Sequence, residues 1–314
     1  MSRPHQHSHF GPKVIISGVI IVLVSVFLIT QATSFAGAFH IILSASPKLI
    51  AWSMLLVAGT YLAATTSYVA LAQSPAIIFW PTFVVQIASG ITNRLLPVGL
   101  GSVGLYTLYF KRHGFRLSKA TSVVAANDVC GALGNFILLV VALIITPELT
   151  TSIQLPAVPV PLILIVLAVA VGLLIVLARR GNWVNKIKAF VGEMLRNLRH
   201  DLRPGKRTAL GLLSNMVLTS LNGVILYLAV VSVGGHMFLP LTIAVLSLGA
   251  VLGAAVPTPG GLGGIEAGIL AGLIACGVPA APALAATLIY RGLTYWAPII
   301  PGLFVLPWVR KRYL

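Results

Sequence analysis

Apolar residues run along this chain in long unbroken stretches, without the alternation of a sheet or the stripes of a soluble helix. Such stretches cover residues 14–30, 49–72, 76–96, 117–145, 161–178, 209–233, 239–256 and 284–309. A transmembrane helix needs about 20 consecutive apolar residues. These runs predict about eight spans, with 239–256 at the short end of the range. Two more runs, 98–110 and 260–276, are too short for ordinary spans, and each begins among glycines. The pattern predicts an all-α polytopic membrane protein with about eight transmembrane helices and two short, Gly-led broken or re-entrant helices.

Composition agrees. Of 314 residues, 58% are hydrophobic and only 8% charged, against about 25% charged in a soluble domain. The first run follows Arg3 and Lys13 and precedes Ala36-Gly37-Ala38, as in a signal peptide. It is longer than the usual apolar core of such a signal and more spans follow, so a retained helix is expected. Cys130 and Cys276 both fall in apolar runs and offer neither a disulfide framework nor metal spacing. His5, His7 and His9 read as a polar tail (residues 1–13), not as a metal site.

The net charge of +16 raises the question of nucleic acid, which its distribution answers. Nine basic residues lie in 179–207 and four in 111–119, the chain ends with Arg310-Lys311-Arg312 nearby, and residues 147–159 carry none. Basic loops mark the cytoplasmic side of a membrane protein. No nucleic acid is expected; an inner (plasma) membrane with both termini cytoplasmic is. Within the long basic loop, Trp183, Ile187, Phe190, Met194, Leu198 and Leu202 recur at helical spacing. That predicts an amphipathic helix on anionic inner-leaflet lipid.

Residues 97–104, PVGLGSVG, place Gly99, Gly101 and Gly104 in the G-x-G-x-x-G spacing of a dinucleotide site. No strand precedes it and no βαβ unit follows, so that reading fails. A similar stretch recurs at 259–266, PGGLGGIE. Laying Pro97 on Pro259 sets Gly99 on Gly261 and Gly101 on Gly263; Asp128 lies fourteen residues beyond Gly114, and Arg291 fourteen beyond Gly277. Interrupted short helices in matching places suggest an internal duplication. If each short piece carries the chain back across its leaflets, each half crosses an odd number of times and the second repeat is inverted. The domains expected are repeat 1 at 14–146, an external loop at 147–160, and repeat 2 at 161–314. Glycines break a membrane helix only where freed backbone faces protein or a polar cavity. The N-termini of the short helices then favour an anion, making Pro97, Gly99, Gly101, Gly104, Pro259, Gly260, Gly261, Gly263 and Gly264 a candidate phosphate cradle.

Four ionisable residues fall at membrane depth: Arg94, Asp128, Glu266 and Arg291. Each costs about 2.5–3.5 kcal/mol at a span centre, so each needs a counter-charge or a cavity. Asp128 is about 15 Å into its helix at about 1.5 Å per residue, and Arg291 lies at the equivalent depth. The two either form a structural ion pair or serve translocation. Glu266 either complements a helix dipole or lines the cavity to meet a cation or a proton. Arg94 either snorkels to the interface or faces the cavity. Asn93, Asn127, Asn215 and Asn222 are weaker candidates, equally suited to joining helices.

Residues 257–278, PTPGGLGGIEAGILAGLIACGV, followed by 283–302, ALAATLIYRGLTYWAPIIPG, resemble the lysylphosphatidylglycerol synthase transmembrane, flippase-like family. Pro259, Gly261, Gly263, Glu266, Tyr290, Arg291 and Pro298 fall on its pattern. Asn93, Pro97 and Gly101 match its first-half element. The resemblance implies translocation of lipid head groups, aminoacylated phosphatidylglycerol being the best-known case, with some relatives tied to glycolipid or lipid-linked sugar pathways. The full synthase carries a cytoplasmic aminoacyltransferase domain beyond the point at which this sequence stops, so this chain is expected not to make lysylphosphatidylglycerol. No Ser/His/Asp set, H-E-x-x-H or Walker A sequence occurs. The expectation is a flippase of (amino-)phospholipids or related lipids with no catalysis, cofactor or metal. Its partners are membrane lipids and, beyond them, a lipid-modifying enzyme or a second copy. The alternatives are a secondary transporter of a small anion and a scaffold for a separate lipid synthase.

Overall fold

The computed structural model describes residues 39–95, 100–146, 183–255 and 261–313. The expected spans at 14–30 and 161–178, the loop at 147–160, the N-terminal histidines, and Pro97, Gly99, Pro259 and Gly260 lie outside the described residues.

Every regular element among the described residues is helical. In order they are α1 (Pro47–Ala72), α2 (Phe79–Leu95), α3 (Leu100–Arg112), α4 (Leu117–Ile145), α5 (Trp183–Asp201), α6 (Lys206–Ser232), α7 (Leu239–Ala255), α8 (Gly264–Ala275) and α9 (Ala280–Arg291), then a π turn (Gly292–Trp296) and α10 (Ile299–Arg312). Helices α1, α4, α6 and the run from α9 through α10 are long and apolar enough to cross a membrane. In hydrocarbon each backbone amide must be satisfied within its own segment, which is why uninterrupted apolar runs become helices. The protein is a polytopic α-helical membrane protein.

The element order repeats. Helices of 26, 17, 13 and 29 residues in the first half correspond to α6, α7 and α8, of 27, 17 and 12 residues, and to the α9–α10 run. The pairings repeat too: α1 packs along α6, α2 pairs with α3 as α7 does with α8, and α2 lies on α10 as α7 lies on α4. Matching turns end the two short helices. Gly114 and Gly277 both have φ of 86°, and the next residue in each case bonds back five positions, Phe115 N–H to Phe110 O and Val278 N–H to Leu273 O. Glycine is required there because a left-handed residue must close the helix end. The alignment of Gly114 with Gly277 therefore has a common backbone cause.

One expectation needs correction. The run at 284–309 is not a single α-helix; it starts at Ala280 and passes through the π turn before α10. Pro298 has no N–H to offer the carbonyl four residues back, so the ladder shifts and Ala297 N–H bonds Gly292 O at 2.8 Å.

Helix α5 is present, and the end of its apolar stripe faces protein. Leu198, with Leu202 just beyond the helix, packs on the core of α1–α4, while Val191 and Leu195 stay exposed. Its end is pinned by Asp201, whose carboxylate is fully buried. That carboxylate accepts from Lys119 Nζ and from Ser122 Oγ at 2.9 Å. The Asp201 main-chain oxygen accepts from Gln73 Nε2 at 3.2 Å and Thr208 Oγ1 at 3.0 Å. One residue thus ties α5 to α1, α4 and α6.

Candidate functional site

The polar residues of the spans converge on a cavity of about 450 Å³ between α1, α2, α3, α4, α6, α9 and the π turn. Asn93, Arg94, Asp128 and Arg291 all line it, as do Asn127, Asn215 and Asn222. Arg94 is in the cavity, not snorkelling. Pro298 explains how it is held: the proline leaves the Thr294 carbonyl without its helical donor, and Arg94 Nη2 donates to that oxygen at 2.8 Å. Arg94 Nη1 donates to Gly90 O within α2. A Cβ at Gly90 would stand 2.8 Å from the Tyr61 hydroxyl and 2.9 Å from Arg94 Nη1, so only glycine leaves room for both.

Arg291 takes a different counter-charge from the one its depth suggests. Its Nε donates to Glu266 Oε1 at 2.6 Å, and Asp128 has no ion pair among the described residues. Of the two readings of Asp128 and Arg291, the structural ion pair between them is not formed; Arg291 pairs within the second half instead. The reason is local: α8 and α9 pack against each other, and Glu266 sits in the first turn of α8, facing the last turn of α9. The second carboxylate oxygen, Oε2, accepts the Gly263 N–H at 2.8 Å.

That last bond bears on the glycine cradle. The amide at the start of α8 is already used by Glu266, and φ of 68° at Gly261 and 86° at Gly263 shows that these glycines are needed for backbone shape. Gly264 is buried in packing. Gly101 is set by close approach: a Cβ there would clash with the Thr92 carbonyl, because α3 folds back on the end of α2. Gly104 faces open space. None of the described glycines of the cradle lines the cavity; Ser102 of α3 does.

The charges in the cavity do not cancel locally. Glu266 neutralises Arg291, whereas Arg94 has no carboxylate within ion-pair distance among the described residues. Its Nε and the neighbouring Asn93 Oδ1 are buried without a hydrogen bond. Both guanidinium groups lie against the Tyr295 ring, Arg94 at 5.1 Å and Arg291 at 4.4 Å from its centroid. The ring face gives each cation some of the stabilisation lost with water. Asp128 is on another wall, open to the cavity. The site therefore presents one cation and one carboxylate, neither of them ion-paired among the described residues, across a shared space.

Sequence reasoning missed the aromatic wall. Tyr68 and Tyr106 stack with centroids 3.7 Å apart, and the Tyr106 hydroxyl donates to Gln86 Oε1. In an apolar run a tyrosine looks like ordinary membrane composition. The signal available was several of them on the helices that carry the glycines. The asparagines were read more fairly. Ser67 Oγ donates to Asn127 Oδ1 at 2.7 Å and accepts from Asn215 Nδ2 at 2.7 Å, joining α1, α4 and α6. Asn222 Oδ1 accepts from the Tyr290 hydroxyl at 3.2 Å. They are interhelical ties that also line the cavity.

Residues 14–302 match the family model for the lysylphosphatidylglycerol synthase TM region. Among curated proteins, none matches the chain.

Proposed function

The chain belongs to the lysylphosphatidylglycerol synthase transmembrane family, and from that premise we propose that it is a lipid translocase. It moves polar head groups of phospholipids or aminophospholipids across a bacterial-type inner membrane, without chemistry of its own. The observation that supports this best is that Arg94 and Asp128, neither of them ion-paired among the described residues, line one cavity of about 450 Å³. Arg94 receives the head-group phosphate, as the charge and planar shape of a guanidinium suit. Asp128 takes an ammonium or hydroxyl donor of the same head group. Arg291, neutralised by Glu266, holds the shape of the site and the ring of Tyr295.

Alternating access follows from the repeat. The second half lies inverted relative to the first, and rocking of one half against the other opens the cavity to either side. Basic α5 and the C-terminal Arg310-Lys311-Arg312 lie on the cytoplasmic side, against anionic head groups.

The test sets a lipid against a free anion. Proteoliposomes containing the full chain are assayed for leaflet exchange of fluorescent phosphatidylglycerol and lysylphosphatidylglycerol, and for uptake of radiolabelled glycerol 3-phosphate. Exchange without uptake supports the translocase. Uptake without exchange moves the site to a transporter of small anions. Neither activity, with an intact cellular phenotype after Arg94→Ala, points to a scaffold for a separate synthase.

A further inference from the structure

The polar cavity is flanked by two other spaces, and their positions repeat. The first, of about 250 Å³, is lined by Met54, Ala58, Phe83, Ile87, Pro298 and Pro301 among others, with no charged side chain. It lies between α1 and α2 of the first half and the start of α10 of the second. The second, of about 380 Å³, includes Ala132, Leu246, Ala250 and Ile265, but also Asn135, Thr219, Asn222 and the charged Arg291. It lies between α6 and α7 of the second half and α4 of the first. Under the correspondence of the halves these are one groove seen twice.

Each groove shares a wall with the polar cavity. Val57 and Tyr61 line both the first groove and the cavity. Leu218, Asn222, Tyr290 and Arg291 line both the second groove and the cavity. Tyr61 has the form such a partition needs: its ring borders the apolar groove, while its hydroxyl lies beside Gly90 and Arg94 in the polar space. The groove mouths carry small exposed residues, Ala58 on one side and Ala250 on the other.

We infer that the two grooves are paired tracks for the hydrocarbon chain of the lipid whose head group occupies the cavity, one track per half and, with the halves inverted, one per leaflet. This rests on the translocase reading above. The occupant follows from the surroundings: the first groove is apolar and the second largely so, grooves on membrane-spanning helices meet hydrocarbon, and each is continuous with a charged head-group site. A chain passing from bilayer to groove exchanges one apolar environment for another at little cost. Selectivity then stays with the head group, and the chain is guided without being trapped.

The experiment uses the full chain in liposomes containing phosphatidylglycerol with a diazirine midway along one acyl chain. After illumination, cross-linked peptides are mapped by mass spectrometry, and leaflet exchange is measured on the same vesicles. Adducts are expected to concentrate at Met54, Phe83 and Ile87 of the first groove and at Leu246 and Ile265 of the second, several-fold above lipid-facing Phe136 of α4. Ala58→Trp is expected to empty the first groove only, and Ala250→Trp the second only. Ile87→Trp and Ala132→Trp repeat the test should either first variant fail to fold. Arg94→Ala is expected to weaken labelling of both grooves while leaving Phe136 unchanged. Labelling spread evenly over the lipid-facing helices, indifferent to the tryptophans, overturns the tracks whether or not lipid exchange occurs. Groove labelling without any exchange upholds the hydrocarbon sites and removes the translocase reading instead.

Discussion

The Glu266 carboxylate lies 2.6 Å from Arg291 Nε, across the contact between α8 and α9, and also receives the Gly263 amide at 2.8 Å. One side chain thus caps a broken helix and neutralises a guanidinium in the membrane. Removing one member of a largely buried pair leaves the other uncompensated, at about 3 kcal/mol. Arg291→Ala and Glu266→Gln should each lower the unfolding temperature in detergent. The double variant should cost less than the sum, because the two losses are one loss.

Arg94 is held by two carbonyl oxygens and a ring face. Lysine keeps the charge but lacks the fork that reaches Gly90 O and Thr294 O together. Arg94→Lys should therefore lose most lipid exchange, as Arg94→Ala does, while the unfolding temperature changes little. Exchange rates beside thermal unfolding check this.

Pro298→Ala restores an N–H that competes with Arg94 for the Thr294 carbonyl. The π turn should regularise, and Arg94 should lose one of its anchors. The expected outcome is an unchanged or higher unfolding temperature with slower lipid exchange. A proline that served only to bend the helix would leave exchange unaltered.

Asp128 has no ion pair among the described residues. Asp128→Asn should erase any preference for lysylphosphatidylglycerol over phosphatidylglycerol and leave exchange of the latter in place. The ratio of the two rates is the readout.

Asp201 joins α5 to three other helices with its side chain wholly buried. Asp201→Ala strands Lys119 and Ser122 and should destabilise by about 3 kcal/mol. Limited proteolysis after Arg203 or Lys206 should accelerate, while head-group preference stays the same.

Most of the spans among the described residues were legible because hydrocarbon imposes one rule on every residue: apolar runs of a set length become helices. Residues 117–145 and 239–256 were read to within a residue of α4 and α7 for that reason. The alignment of Gly114 with Gly277 was legible, since both close a short helix with the same left-handed turn. The counter-charge of Arg291 was not. Depth along a helix places Asp128 and Arg291 at one level, but pairing depends on which helices touch, and Glu266 reaches Arg291 through the α8–α9 contact. Asp201 was hidden among nine basic residues of 179–207, where an acid reads as part of a solvated loop. The hold of Thr294 on Arg94 spans 200 residues and arises from a missing N–H at Pro298, which no local pattern displays.

The most direct test of the central claim is the fraction of tail-labelled fluorescent phosphatidylglycerol that dithionite reaches in sealed proteoliposomes. The account predicts that the full chain exposes lipid from both leaflets, and that Arg94→Ala, folded and incorporated equally, exposes only the outer one. Equal quenching by wild type, Arg94→Ala and protein-free vesicles would contradict it.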